Sequence, residues 1–253
     1  MTLKNALAAG PVTATFASLK DPAVAGVLAQ AGFGCIVIDR EHAVMGSETA
    51  AGLIMASQRA GLSAITRIPE LARAAVQDAL EAGSDGILAP MVESAAQAKQ
   101  LASWCRYPPE GTRGVHPLTP ATGYGAIPMP QMFRAANQQV LVCAQIETAA
   151  GLEQAGAIAK TDGIDLLFFG PGDMAVSLGV GMDDPRLAEA FERVLAVAGK
   201  AGKLVGTFAM NAEGAHRAAA AGARLLVLGS DLALLKQAGT EASEGLKRRL
   251  QRP

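Results

Sequence analysis

The sequence predicts a (β/α)8 barrel, the TIM-barrel architecture, on three observations. Eight short apolar runs, rich in β-branched residues or Leu, recur along the 253 residues, and Ala-rich segments with apolar residues at helical spacing lie between them. The runs are apolar at nearly every position, which is typical of strands buried on both faces of a parallel sheet. Eight such units match the size of a closed barrel. Alternation does not demonstrate closure, so an open doubly wound sheet is the alternative.

The elements follow in order along the chain. The predicted strands are Val12–Ala17, Cys35–Ile38, Ser63–Thr66, Gly86–Ala89, Val140–Gln145, Ile164–Phe169, Leu204–Phe208 and Arg224–Leu228. The predicted helices are Ala23–Ala31, Ser47–Ala60, Leu71–Ala82, Ala95–Trp104, Ala149–Ala159, Leu187–Gly199 and Ala212–Ala221, and several are followed by Gly, as helix C-termini often are. The Pro- and Gly-rich stretch 106–130 predicts a long functional or interfacial loop. No linker divides the chain, so we expect one domain over 1–253.

Composition excludes several classes of function. The 22 Lys and Arg residues against 23 Asp and Glu residues leave a net charge of −1, which disfavours a nucleic-acid partner. No apolar run reaches the length of a membrane span, and the first 20 residues lack a signal pattern, so we expect a soluble cytoplasmic protein with no membrane partner. The cysteines, Cys35, Cys105 and Cys143, lack metal-ligand spacing and are expected to be reduced core residues.

In a parallel barrel, chemistry takes place where the strands end, so charged residues that directly follow the apolar runs are candidates. Glu147 and Asp173 follow two adjacent predicted strands and could supply oxygen ligands to Mg²⁺ or Mn²⁺. Asp173 could instead cap the helix that follows it. The turn Gly170–Asp173 exposes backbone N–H groups at a helix start, which suits a carboxylate.

Two further strand ends supply a base and a cation. Asp39 and His42 are three residues apart, a spacing that lets a carboxylate orient an imidazole as a base, although a purely structural hydrogen bond would have the same spacing. Arg67 should reach the mouth, where its guanidinium can hold an oxyanion. His116 and His216 are expected at the surface. The lysines lie on helices, in loops or at the entry of a strand, which disfavours imine chemistry.

Taken together, six motifs resemble the HpcH/HpaI aldolase family of metal-dependent pyruvate aldolases, over about residues 3–235. The motifs are Asp39-Arg40-Glu41-His42-Ala43, Arg67-Ile68-Pro69, Ala89-Pro90-Met91-Val92, the segment from Arg106 to Gly114, Gln145-Ile146-Glu147-Thr148 and Gly170-Pro171-Gly172-Asp173. The resemblance implies a barrel with an exchanged eighth helix and a homohexamer built as a trimer of dimers.

The resemblance also implies roles for individual residues. Glu147 and Asp173 would bind a divalent metal, Mg²⁺, Mn²⁺ or Co²⁺, that pyruvate chelates. Gln145 and the backbone of Gly172 and Asp173 would hold the pyruvate. Arg67 would neutralise the enolate, and His42, supported by Asp39, would move the proton of the aldol hydroxyl.

The sequence departs from the family pattern at two places. His42-Ala43-Val44-Met45 stands where relatives often have His-Ala-Pro-Asn, and Glu81 replaces an Asp that closes the third helix in relatives. Glu81 could still assist by hydrogen bonding across a subunit boundary. Phe16, Phe168 and Phe208 stand where the family uses bulky apolar residues beside the aldehyde, although ordinary core phenylalanines would fit the same pattern.

The resulting hypothesis is reversible cleavage of a 4-hydroxy-2-oxo acid to pyruvate and an aldehyde. One alternative is a citryl-CoA or malyl-CoA type of lyase, which the small number of lysines near the mouth disfavours. The other is a catalytically silent barrel that binds a keto acid.

Overall fold

The computed structural model describes residues 1–251, and in it eight parallel strands close into a barrel. Each strand pairs with the next along the chain, and the last pairs with the first, with Val12 opposite Leu225. The predicted closed barrel is therefore confirmed, and the alternative of an open doubly wound sheet is excluded. The strands are β1 (Val12–Ala17), β2 (Cys35–Asp39), β3 (Ser63–Arg67), β4 (Gly86–Ala89), β5 (Leu141–Ile146), β6 (Leu166–Phe169), β7 (Leu204–Ala209) and β8 (Leu225–Ser230).

Helices cover the outside of the barrel. They are α1 (Leu3–Ala9), α2 (Ala23–Gln30), α3 (Ser47–Arg59), α4 (Arg73–Glu81), α5 (Ala95–Cys105), α6 (Met129–Gln139), α7 (Ala149–Ala159), α8 (Pro171–Leu178), α9 (Pro185–Lys200), α10 (Ala212–Ala221) and α11 (Asp231–Leu250). All seven predicted helices are confirmed, and their ends shift by at most two residues. The predicted loop 106–130 contains a short 3₁₀ turn, Pro120–Thr122, and its last two residues begin α6.

The barrel interior is a packed core, closed at one end. Alternate strand residues point inward, and they form one apolar cluster with Leu3 and Leu7 of α1. Lys4 of the same helix pairs with Asp165, just before β6, at an Nζ–Oδ1 distance of 2.8 Å. Because α1 lies across the end where the strands begin, only the end where they finish can open to solvent. We call that end the C-terminal rim.

The three cysteines are buried and free of disulfides, as predicted. Burial raises the pKa of all three thiols, that of Cys105 to about 12, so they remain neutral and act as small apolar core residues.

The last helix packs on its own barrel only at its start. Asp231 is its one buried residue among those described, and Leu232, Leu235, Leu246 and Leu250 are exposed. None of the helices formed by residues 1–251 combines the length and the apolarity needed to cross a membrane.

Candidate active site

A buried ion pair lies at the ends of β2 and β3. Register places Asp39 opposite Arg67, and both side chains are almost fully buried. Arg67 Nε donates to Asp39 Oδ1 at 3.0 Å and Nη2 donates to Oδ2 at 2.7 Å. Burial alone would raise the pKa of the Asp39 carboxyl, but the hydrogen bonds and charge of Arg67 lower it below its ordinary value. This two-point contact fixes the plane of the guanidinium.

Two more groups hold the Arg67 guanidinium. Its central carbon lies 4.2 Å from the centre of the Phe16 ring, a cation–π contact. Its Nη1 lies 3.2 Å from Glu41 Oε2. Asp39 occupies the edge of the guanidinium formed by Nε and Nη2, so Nη1 is the nitrogen that contacts Glu41.

The predicted support of the His42 ring by Asp39 is wrong. Asp39 Oδ1 accepts the backbone N–H groups of Glu41 and His42 at 3.1 Å, and both of its oxygens bind Arg67. The imidazole is 60% exposed, and its Nε2 lies 3.6 Å from Glu41 Oε2. Because β2 pairs with β3, two guanidinium nitrogens of Arg67 lie beside Asp39 and occupy both of its carboxylate oxygens. Glu41, which the spacing of Asp39 and His42 does not indicate, is the acid beside the ring.

Glu147 directly follows β5 and is buried. The backbone N–H of Met91 donates to its Oε1 at 2.8 Å, and Gln145 Nε2 donates to its Oε2. Met91 adopts a left-handed backbone with φ of 54°, which is uncommon for a residue with a side chain and turns its N–H toward this carboxylate. Burial, together with the charges of Glu41 and Asp173, raises the pKa of Glu147 to about 7.

Asp173, the second predicted metal ligand, lies just after β6, the strand that pairs with β5. Asp173 is exposed in the first turn of α8, which starts directly after β6, so it also occupies the favourable helix-start position foreseen as the alternative. Gly170 precedes α8, and a Cβ built on it would lie 2.8 Å from both Cβ and Oε2 of Glu147. Glu147 therefore packs against the turn that carries Asp173. A Cβ on Gly172 would meet nothing within 4 Å, so the backbone there is open.

The donor atoms at this rim suit a hard cation. Glu41 Oε2 and Gln145 Oε1 are buried acceptors without a hydrogen-bond partner, and Glu147 and Asp173 add carboxylate oxygens. Among residues 1–251, no group of three or more His, Cys, Asp or Glu side chains is placed so that it could hold a metal ion by itself. Mg²⁺ commonly uses one or two protein carboxylates and completes its shell with water and substrate. The residues present therefore fit such an ion.

The three phenylalanines pack in the same apolar cluster of the barrel interior. Phe16 and Phe208 lie near each other on β1 and β7, with ring centres 6.1 Å apart. Phe168 is 1% exposed and belongs to the packed barrel interior, where a Cβ added to Gly206 would approach its ring to 2.9 Å. It lies opposite Gln145 of β5, which is buried to a similar extent, and its place beside the aldehyde stays a prediction. Phe16 and Phe208 stay candidates as well.

Glu81 is not at this rim. It is the last residue of α4, which runs back toward the start of β4, so it lies at the opposite end of the barrel. Gln77 Nε2 donates to its Oε1 at 2.9 Å, and its charge acts on Tyr107 and Arg113. Within one chain, Glu81 therefore cannot join the other candidates.

Two other polar residues have local partners. His116 is exposed, as predicted, and its Nδ1 accepts the Leu118 N–H. Asp231 is buried and accepts the backbone N–H groups of Ser18 and Leu19, which ties the loop after β1 to the start of α11.

Comparison with known proteins gives a consistent result. The family model described as HpcH/HpaI aldolase/citrate lyase matches residues 13–238. The 5-keto-4-deoxy-D-glucarate aldolase of Klebsiella pneumoniae subsp. pneumoniae is 33% identical over 248 residues, covering 97% of this chain and 96% of the relative. The hydroxypyruvate/pyruvate aldolase of Delftia acidovorans is 33% identical over 233 residues, covering 91% and 86%. A crystal structure of an HpcH/HpaI aldolase/citrate lyase family protein from Burkholderia cenocepacia J2315 has a TM-score of 0.91 at 33% identity, covering 97% and 98%.

The fold and its acidic rim, together with the aldolase names of these relatives, define the class of protein as a lyase on a (β/α)8 barrel. The chain belongs to the HpcH/HpaI aldolase/citrate lyase family.

Proposed function

We propose that the protein catalyses the reversible, metal-dependent cleavage of a 4-hydroxy-2-oxo acid to pyruvate and an aldehyde. The observation that supports this proposal is a buried carboxylate, Glu147, near the charges of Glu41 and Asp173, together with Arg67, which pairs with Asp39 and Glu41 at the C-terminal rim. Relatives named for 5-keto-4-deoxy-D-glucarate and for hydroxypyruvate and pyruvate support 2-oxo acid chemistry.

Some of these residues would bind the metal and the substrate, and Arg67 would stabilise negative charge. Mg²⁺, Mn²⁺ or Co²⁺ held by Glu147 and Asp173 would supply Lewis-acid chemistry when bound. Gln145 and the open backbone at Gly172 and Asp173 hold the pyruvate part of the substrate. Arg67, kept in place by Asp39, provides positive charge where the enolate forms.

Two other residues act on the aldehyde part. His42 takes the proton of the aldol hydroxyl, and its exposure leaves the ring accessible to substrate. Phe16 and Phe208 offer an apolar surface beside it.

We further propose that the protein works in the cytoplasm as a homohexamer, a trimer of dimers with exchanged α11 helices. The exposed Leu232, Leu235, Leu246 and Leu250 of α11 support exchange, because apolar residues on a long helix gain free energy when a second copy covers them. In such an assembly, Glu81 of one copy could assist the rim of another. Light scattering coupled to size exclusion would measure the mass directly, and a monomer would contradict this part.

Activity assays test the central proposal. Purified protein is treated with a chelator, and Mg²⁺, Mn²⁺ or Co²⁺ is then restored while pyruvate release from 4-hydroxy-2-oxo acids is followed. A panel of aldehydes offered with pyruvate tests the reverse direction. We expect activity only with metal, and we expect Glu147→Ala to lose metal binding and turnover together. Full-rate cleavage by the chelated protein would show that the metal assignment is wrong.

A further inference from the structure

A cavity of about 260 Å³ lies between the barrel and its outer helices, at the end where the strands begin and away from the C-terminal rim. It is bounded by the end of α4, by α6 and by the Pro- and Gly-rich stretch that precedes α6. Leu80, Ile127 and Met132 give it apolar walls. Among the described residues that line the cavity, two are charged, Asp85 and Arg113, and neither takes part in the chemistry proposed above.

Arg113 brings a buried cation to this cavity without an acid to balance it. The residue is 5% exposed, and its guanidinium lies over the Tyr107 ring, with the central carbon 4.5 Å from the ring centre. Its Nη2 donates to the Leu80 carbonyl oxygen at 3.1 Å, but its Nε is buried without a hydrogen-bond partner. Among residues 1–251, no carboxylate lies within 4 Å of it, and Glu81 attracts it only from farther away. Because a guanidinium stays protonated even when buried, this wall favours an anionic group of a ligand.

Asp85 brings an acid without a cation, as a comparison with Asp165 shows. Each of these residues directly precedes a strand, and its Oδ2 accepts the backbone N–H of the second residue of the strand before it, at 2.8 Å for Asp85 and 2.9 Å for Asp165. Lys4 and Arg106 also donate to Asp165, at 2.8 and 3.0 Å. No cation of residues 1–251 lies within 4 Å of Asp85, and burial raises the pKa of its carboxyl. This wall therefore favours a cationic group of a ligand.

We propose that this cavity binds a small amino acid, whose carboxylate contacts Arg113 and whose ammonium group contacts Asp85. The two unbalanced charges have opposite signs, so one ligand that carries both charges pairs with both walls. A ligand with a single charge leaves the other wall unpaired. The apolar walls accept the carbon chain of the ligand, and the remaining polar lining residues are neutral: Gln58, Ser84, Tyr107 and Gln139. The inference does not rest on the proposed function.

Calorimetric titration of the full chain tests this inference with ligands matched in length. A chelator is present, so that carboxylates do not bind through a metal at the C-terminal rim. The probes are amino acids from glycine to 6-aminohexanoate, each compared with the carboxylic acid that lacks the ammonium group and with the amine that lacks the carboxylate. We expect at least one amino acid to bind about 10- to 100-fold more tightly than either of its analogues, because each charge contributes a charge-assisted hydrogen bond. The inference is overturned when no amino acid binds more tightly than both of its analogues.

Two substitutions assign the two charges. Arg113→Gln should reduce the affinity for the amino acid to that of the amine, and should leave binding of the amine unchanged. Asp85→Asn, whose amide oxygen can still accept the Ala64 N–H, should reduce the affinity for the amino acid to that of the carboxylic acid, and should not weaken the acid itself. Arg134→Gln and Asp162→Asn, at exposed positions that do not line the cavity, are the matched controls and should leave all binding unchanged. An equal loss of all three ligands in both cavity variants would indicate structural damage alone and would overturn the assignment.

A third substitution tests the cavity without removing a charge. Ala135 is half-buried on α6 and lines the cavity, so Ala135→Phe should exclude the amino acid and abolish its binding. Circular dichroism and urea unfolding establish that the variant is folded. Full affinity in the folded variant would place the ligand elsewhere and contradict the inference. Because these titrations measure binding without metal or turnover, a failure of the proposed function leaves them unaffected.

Discussion

Replacing Glu147 by Gln should stabilise the metal-free protein at alkaline pH. The carboxyl has an ordinary pKa of 4.5, raised in the folded protein to about 7 because it is buried and lies near Glu41 and Asp173. Gln has nearly the same shape. Its oxygen can still accept the Met91 N–H, and its NH₂ can donate to Gln145 Oε1 once the Gln145 amide turns over, because Gln145 Nε2 now faces Glu147.

The sign and size of the effect follow from proton linkage. Between pH 4.5 and about 7 the folded state holds a proton on Glu147 that the unfolded chain has released, so the free energy of unfolding falls as pH rises through this window. A rise of about 2.5 pH units at about 1.4 kcal/mol each corresponds to about 3 kcal/mol. Ionisation of Glu147 does not lower the free energy of unfolding at pH 4 and lowers it by the full amount near pH 8. A Gln at this position does not ionise, so the variant keeps its stability.

Urea denaturation in the presence of a chelator measures this difference. We expect Glu147→Gln and wild type to have similar unfolding free energies near pH 4.5, and the variant to be more stable by about 3 kcal/mol at pH 8. Mg²⁺ should stabilise only the wild type. A variant that is less stable than wild type at both pH values would refute the reasoning that burial without a cation strains this carboxylate.

Three other substitutions test separate parts of the structure. Arg67→Lys loses the two-nitrogen contact and the ring stacking, so turnover should fall about 100-fold while metal affinity by calorimetry is kept. Gly170→Ala should cost about 1–3 kcal/mol in urea unfolding and weaken metal binding, because its Cβ would overlap Glu147, whereas Gly199→Ala, with open space around it, should cost nothing. Asp231→Ala leaves backbone N–H groups unpaired and should cost about 2–4 kcal/mol, with activity per folded molecule retained; unchanged stability would contradict its role.

The fold could be predicted because its signals are local. Strands buried on both faces are apolar throughout, and the Gly residues after five predicted helices do take positive φ. Strand ends were the main error, since β2 and β3 extend to Asp39 and Arg67, whose polar side chains indicate a loop. Those residues continue the strands because they pair with each other across the register.

The position of Arg67 and Glu147 at the ends of strands could be predicted from sequence, but the partners of the candidate residues could not. A residue that follows a strand must lie at the C-terminal rim, which was enough to select Arg67 and Glu147. Whether Asp39 binds His42 or Arg67 depends on the register between two strands, which sequence spacing within one segment does not contain. The depth of Phe168 within the barrel depends in the same way on the neighbouring Gly206. The one sequence signal for Glu41 was its place between Asp39 and His42.

The charge arrangement of the rim gives a reason for a cation that is independent of any relative. Asp39 already neutralises Arg67, so Glu41, Glu147 and Asp173 are left as an excess of negative charge around a partly buried space. A 2-oxo acid is itself an anion, and it would have to enter against that charge. The divalent ion proposed above would reverse this balance and lower the raised pKa of the Glu147 carboxyl. It would also let an anionic substrate enter an acidic mouth.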